Sequence, residues 1–195
     1  METPNENGVP AKQRKVTARH LNRLAAVQFL YAWLSTHAAK TIPNRDELGS
    51  ELQNFFNPRS PSVDESLETS DPEIHYSPAD SFACLGGDVP PENGHARNFY
   101  AFAEQLADGV LNNLEMIDEK IKAYLRNWDF DRVEKVAMII LRLAVYELTM
   151  RVDIPPIVSI NEALDLTKEL ASPDAKRFVN GVLDQISQTL GRPRR

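Results

Sequence analysis

Five cations stand close together near the start of the chain: Lys12, Arg14, Lys15, Arg19 and Arg23. No acidic side chain lies among residues 11–23. Gln28 and Tyr31 follow. Cations neutralise phosphates and release their counterions, while amide and aromatic side chains hydrogen-bond to unpaired bases or stack on them. That combination suits single-stranded RNA. The same residues read equally well as a solvated tail followed by ordinary helix-surface arginines, because basic clusters are common. Lys176 and Arg177 form a second, smaller basic site. It lies just before Phe178-Val179-Asn180-Gly181-Val182-Leu183-Asp184, where an Asn-Gly pair interrupts a helical apolar pattern. Glycine inside a helix costs roughly 1 kcal/mol relative to alanine. A close approach by another helix backbone would account for Gly181, and Asn180 offers an amide near a helix start.

Catalytic patterns are weak. The sequence holds no Gly-rich phosphate loop, no H-E-x-x-H and no G-x-S-x-G. His20, His37, His75 and His95 are scattered without ligand spacing, so no metal site and no cofactor are expected. Carboxylates at helical spacing, such as Asp118 with Glu115 or Glu119, read as a solvated face. A single cysteine, Cys84, rules out an internal disulfide framework and a Cys-based zinc site. No apolar run approaches the roughly 20 residues needed to span a bilayer, and the N-terminal residues show no secretory pattern. A cytoplasmic protein with no membrane association is expected.

The elements that position these residues are helical. Thr17 is a plausible N-cap for a first helix, ARHLNRLAAVQFLYAWLSTH. Leu21, Leu24, Val27 or Gln28, Tyr31 and Leu34 share one of its faces, and Arg19 and Arg23 are a turn apart on another. Tyr31 and Trp33 read first as packing residues. Periodicity returns at Ala96 and runs to Asn127 as one long helix, or as two joined near Asn112-Asn113. Asp129 or Asp131 can cap the next helix, apolar nearly all round from Val136 to Leu148 and therefore central. Its conspicuous polar members, Arg142 and Glu147, require partners. Ile154-Pro155-Pro156 stops it. Ser159-Ile160-Asn161-Glu162 reads as a capping box for the helix INEALDLTKELA. Ser172 and Pro173 start a last helix, which ends at Gly191. The class is all-α, with about six or seven helices.

The chain has 195 residues and 42% hydrophobic composition, enough for one ordinary domain with an extra segment. Its net charge of −6 is unevenly spread: residues 41–97 hold three basic and eleven acidic side chains and seven of the thirteen prolines. Three parts are expected. Residues 1–16 form a flexible basic tail, and 17–40 with 98–191 form a single helical domain, to which the family resemblance described below adds RNA binding. Residues 41–97 form an acidic Pro/Ser-rich insertion, largely loop or disordered, in which only 47–56 has helical periodicity. Tethered near the basic surface, that insertion could compete with RNA. Deleting 44–94 should then raise RNA affinity, most at low salt.

RLAAVQFLYAW (23–33), ILRLAVYEL (140–148), SINEALDLTKEL (159–170) and KRFVNGVLDQI (176–186) occur in this order. Together they resemble the NusB family of bacterial transcription antitermination factors, over residues 17–40 and about 98–190. The resemblance implies two small helical subdomains and binding to boxA RNA of ribosomal RNA transcripts. It implies pairing with ribosomal protein NusE, and action with other Nus factors on the RNA polymerase elongation complex to suppress premature termination. Family members contact RNA chiefly through the arginine-rich start of the first helix. Arg19 and Arg23 match the ends of that run, but His20, Leu21 and Asn22 thin it, and Lys12, Arg14 and Lys15 are placed to compensate. Asp174, Lys176, Arg177 and Phe178 carry over from the helix start that faces RNA in the family, with Asn180 beside them. A monomeric and a homodimeric free chain are both compatible with the resemblance.

Two alternatives belong with it. One is a protein-only scaffold that binds NusE and has lost specific RNA binding. The other is the RNA-binding domain of a ribosomal RNA cytosine methyltransferase. That enzyme would need a Gly-rich cofactor loop and catalytic cysteines, so no enzymatic activity is expected.

Overall fold

The computed structural model describes residues 17–37, 44–56, 96–125 and 130–191. Among them are seven α-helices, one 3-10 turn and no strand. The helices are α1 (Ala18–Thr36), α2 (Arg45–Phe56), α3 (Ala96–Asn112), α4 (Leu114–Tyr124), α5 (Lys135–Met150), α6 (Pro156–Leu170) and α7 (Pro173–Thr189). The 3-10 turn is Phe130–Arg132. No described helix is long and apolar enough to cross a membrane. Lys12, Arg14 and Lys15 lie outside the described residues.

Thr17 caps α1, its hydroxyl accepting from the His20 backbone N–H at 3.1 Å. α3 and α4 are separate helices that break at Asn113. α5 runs through the middle and packs on α1, α3, α4, α6 and α7. Its residues Ala137 to Val145 are all buried, as an all-round apolar helix requires. α1, α2 and α3 form one packed group, and α4 to α7 form the other with α5 reaching across.

α2 is part of the core. Leu48, Leu52 and Phe56, spaced four residues apart, are 1–3% exposed. Phe29 of α1 packs edge-on to Phe55 at 5.2 Å between ring centroids and lies 5.7 Å from Phe56. Phe56 in turn lies 5.7 Å from the Tyr100 ring of α3. Burying each such side chain contributes about 1.5–3 kcal/mol. Residues 45–56, grouped with the insertion by charge and proline content, therefore belong structurally with the domain.

Local signals resolve differently at four places. Ser159-x-x-Glu162 is not a capping box, because α6 already starts at Pro156, whose ring presets the helical φ at the first position. Ser159 sits inside the helix, and its hydroxyl donates to the Glu147 carboxylate at 2.6 Å. Of the two cap candidates for α5, Asp129 lies outside the described residues and Asp131 lies in the 3-10 turn; Glu134 is the residue before α5. Asp118 is no solvated carboxylate; the Arg142 guanidinium donates to both its oxygens at 2.8 Å, joining α4 to α5. Gly181 is exposed and has open space where a Cβ would stand, so no helix approaches it. The close approach is at Gly109 of α3. A Cβ there would lie 2.1 Å from Cζ of Tyr146 on α5.

Candidate nucleic-acid interface

The start of α1 divides its polar residues between structure and solvent. Arg23 is buried: its Nε and Nη2 donate to the two Glu147 oxygens at 2.8 and 3.1 Å, and its Nη1 donates to the Arg19 carbonyl at 3.3 Å. Asn22 is buried too. Its amide donates to the Ala18 carbonyl at 2.8 Å, and its Oδ1 accepts the Ala103 N–H of α3 at 3.0 Å. His20 reaches α6, with Nδ1 2.9 Å from Glu162 and Nε2 3.2 Å from Glu169. The Glu162 hydrogen bond holds the His20 imidazole above its usual pKa; burial opposes the shift, and Glu169 adds to it.

Arg19 is what remains for solvent. Its guanidinium carbon sits 4.0 Å above the Phe102 ring centroid, so the side chain is exposed yet held. Arg151, from the turn after α5, lies 5.3 Å from the same ring. Arg151 also donates to both Asp153 oxygens at 2.9 Å, and that hydrogen bond lowers the Asp153 pKa, with Arg19 contributing in the same direction. Buried Arg23 also lies 5.3 Å from the Phe102 ring, so three guanidinium groups surround it, with Arg19 the exposed one. Exposed Met150 and Val152 adjoin Arg151 along the chain.

Further along α1, Gln28 and exposed Tyr31 line an apolar groove of about 380 Å³ with Val27, Ala32, Phe55, Val136 and Leu170. Lys135 Nζ stands 5.2 Å from the Tyr31 ring centroid and donates to Ser35 Oγ at 2.8 Å. Tyr31 is twelve residues from Arg19, or roughly 18 Å along the helix axis. Leu170 leads directly into the α6–α7 junction, where the Ser172 N–H donates to Glu134 at 3.2 Å. Asp174, Lys176 and Arg177 are exposed on the first turns of α7; Phe178 and Asn180 are half-buried. Gln28 and Tyr31 thus share a groove with Leu170 at the end of α6, while Arg19, at the other end of α1, is next to His20, which reaches Glu169 of the same α6 turn.

A family model, the NusB family, matches residues 92–188. The transcription antitermination protein NusB of Geotalea daltonii is 46% identical over 111 residues, covering 57% of this chain and 74% of the relative. The protein of the same name from Oleidesulfovibrio alaskensis is 37% identical over 123 residues, covering 60% and 79%. The chain belongs to the NusB family. The solved structure of T. maritima NusB is similar in fold, with a TM-score of 0.55 and 26% identity over 90% of this chain and 93% of that one. The all-helical architecture is that of NusB.

Several residues of this candidate interface escape a linear reading. Asn22 and His20 look like interruptions of a basic run; only the positions of α3 and α6 show them as cross-links. Phe102 looks like one more apolar residue of α3 until Arg19 and Arg151 are seen on its ring. Arg142 and Glu147 announced a need for partners, but the partners lie 24 and 124 residues away.

Proposed function

We propose that this chain is a transcription antitermination factor that binds boxA single-stranded RNA of ribosomal RNA transcripts together with ribosomal protein NusE. With other Nus factors it acts on the RNA polymerase elongation complex in the cytoplasm and suppresses premature termination. It works by binding, not by catalysis. The observation that carries the reading is the exposed Arg19 guanidinium, seated on Phe102 beside Arg151 at the start of α1. A cation held in place loses less side-chain freedom when it meets a phosphate. Lys12, Arg14 and Lys15 enter the chain at the same end. Tyr31 and Gln28 supply a stacking face and an amide, and Asp174, Lys176, Arg177, Phe178 and Asn180 extend the surface on α7.

One observation favours the protein-only scaffold as a second reading. Arg23 is consumed by Glu147, so α1 offers solvent one arginine instead of two. The deciding experiment is binding of a boxA RNA across a salt series, with and without purified NusE and against a scrambled RNA. Selective binding that NusE strengthens and Arg19→Ala weakens supports antitermination. NusE binding without RNA selectivity supports the scaffold.

A further inference from the structure

His37 closes α1, and its imidazole is fixed on two sides. The ring stacks on Trp33 at 4.0 Å between centroids, tilted by 13°. Its Nδ1 lies 3.2 Å from the Trp33 carbonyl oxygen and 2.9 Å from Thr36 Oγ1. A carbonyl only accepts, so that bond requires the proton on Nδ1 and leaves the Nε2 lone pair free. Metal-binding histidines are held in this way, one ring nitrogen donating to a backbone carbonyl while the other ligates. Nε2 points towards α2, where Glu47 and Glu51 stand one turn apart on the same face. Nε2 is 3.9 Å from Glu51 Oε1, too long for a hydrogen bond but within the span of two ligands on one ion at roughly 2.0–2.2 Å each. The ligand atoms of His37, Glu47 and Glu51 all lie within 4.8 Å of one another.

We infer that His37, Glu47 and Glu51 form a binding site for one divalent transition-metal ion of the Zn²⁺ class. Imidazole nitrogen and carboxylate oxygen are both ligand types that Zn²⁺ accepts, and three protein ligands leave a fourth position for water. The partly exposed His37 and Glu51 side chains leave that position open. Imidazole in the set selects against Mg²⁺ and Ca²⁺, which take oxygen ligands. The ion would tie the end of α1 to α2, helices otherwise joined through the Phe29, Phe55 and Phe56 rings. The four histidines have no ligand spacing in the sequence; the site exists only because α2 packs against α1.

The test uses the full chain freed of metal with a chelator. It is titrated with Zn²⁺ by calorimetry and with Co²⁺ by visible absorption, and its melting temperature is followed with Zn²⁺ present. Uptake of one ion per chain and a Zn²⁺-dependent rise in melting temperature are expected. Both should be lost in His37→Ala and in Glu51→Gln, and kept in a Cys84→Ser/His75→Ala/His95→Ala variant. Glu51→Gln keeps the side-chain shape and carries the test if His37→Ala folds poorly. Absence of binding in the wild-type chain, or binding unchanged in Glu51→Gln, overturns the site.

Discussion

His20 of α1 and Glu162 of α6 meet at 2.9 Å, Nδ1 to Oε2, across a sequence separation of 142 residues. Glu169 approaches the opposite ring nitrogen at 3.2 Å. One imidazole thus joins the start of α1 to two turns of α6. The raised folded-state pKa makes the folded chain hold a proton that the unfolded chain releases near pH 6.5. The stabilisation is fully present below about pH 6.5 and is lost as pH rises through the folded value. The melting-temperature gap between wild type and His20→Gln should be widest below that pH and shrink above it. A gap independent of pH would show that the proton plays no part.

Arg19 and Arg23 are one turn apart and should respond differently to the same substitution. Arg23→Ala strands the Glu147 carboxylate, 1% exposed, with Ser159 as its remaining side-chain donor. Loss of one partner of a buried pair costs about 3–5 kcal/mol. Urea denaturation should show a loss of that order. Arg19→Ala should change stability little, since an exposed cation–π contact is worth about 0.5–1 kcal/mol. It should weaken RNA binding and reduce the log–log salt slope by about 0.7, one phosphate's share on a single strand.

The two helical glycines predict opposite signs. Gly181→Ala adds a methyl into open space on α7 and should stabilise by about 0.5–1 kcal/mol. Gly109→Ala drives a Cβ into the Tyr146 ring; overpacking costs about 1–3 kcal/mol and outweighs the helical gain. In a Tyr146→Ala background the same Gly109→Ala change should become stabilising. Chemical denaturation of the four variants closes the cycle.

The acidic region can be shortened only after α2. Deleting 44–94 removes Leu48, Leu52 and Phe56 from the core and should prevent cooperative folding, seen as loss of a sharp thermal transition. Deleting 59–93 removes one basic and eight acidic side chains and keeps α2. The contact between Phe56 and Tyr100 brings the flanking helix ends near each other, so a short joint can close the gap. If the acidic segment competes with RNA, this deletion raises affinity, most at low salt. Equal affinity at every salt concentration removes the idea.

Helix periodicity made α1, α5, α6 and α7 legible, because their apolar residues recur at 3.6 and the Thr17, Pro173 and Gly191 signals stand at helix ends. α2 was visible as a pattern yet was assigned by its surroundings. Charge and proline content describe a region on average, while Leu48, Leu52 and Phe56 act individually. The capping box misled because a Ser-x-x-Glu pattern cannot say whether a proline upstream has already begun the helix. In the candidate interface, arginine count was readable and arginine availability was not. Whether Arg23 faces phosphate or Glu147 is decided by a residue 124 positions away. Gly181 drew attention as an oddity in a helix, whereas Gly109, inside an unremarkable stretch, is the glycine that its neighbour needs.

The two charges of α5 have a consequence for how the protein assembles. A helix apolar on every side has no preferred rotation about its own axis; hydrocarbon packs against any face. Arg142 and Glu147 are five residues apart, which sets them about 140° around the helix from each other. One finds Asp118 on α4, and the other finds Arg23 on α1 with Ser159 on α6. Turning α5 by a single residue would press both charges into hydrocarbon and leave four ionised groups without partners, at several kcal/mol each. The pairs therefore act as a phase lock. They contribute to which rotation is native more than to how tightly the core holds, and they penalise misrotated compact states during folding.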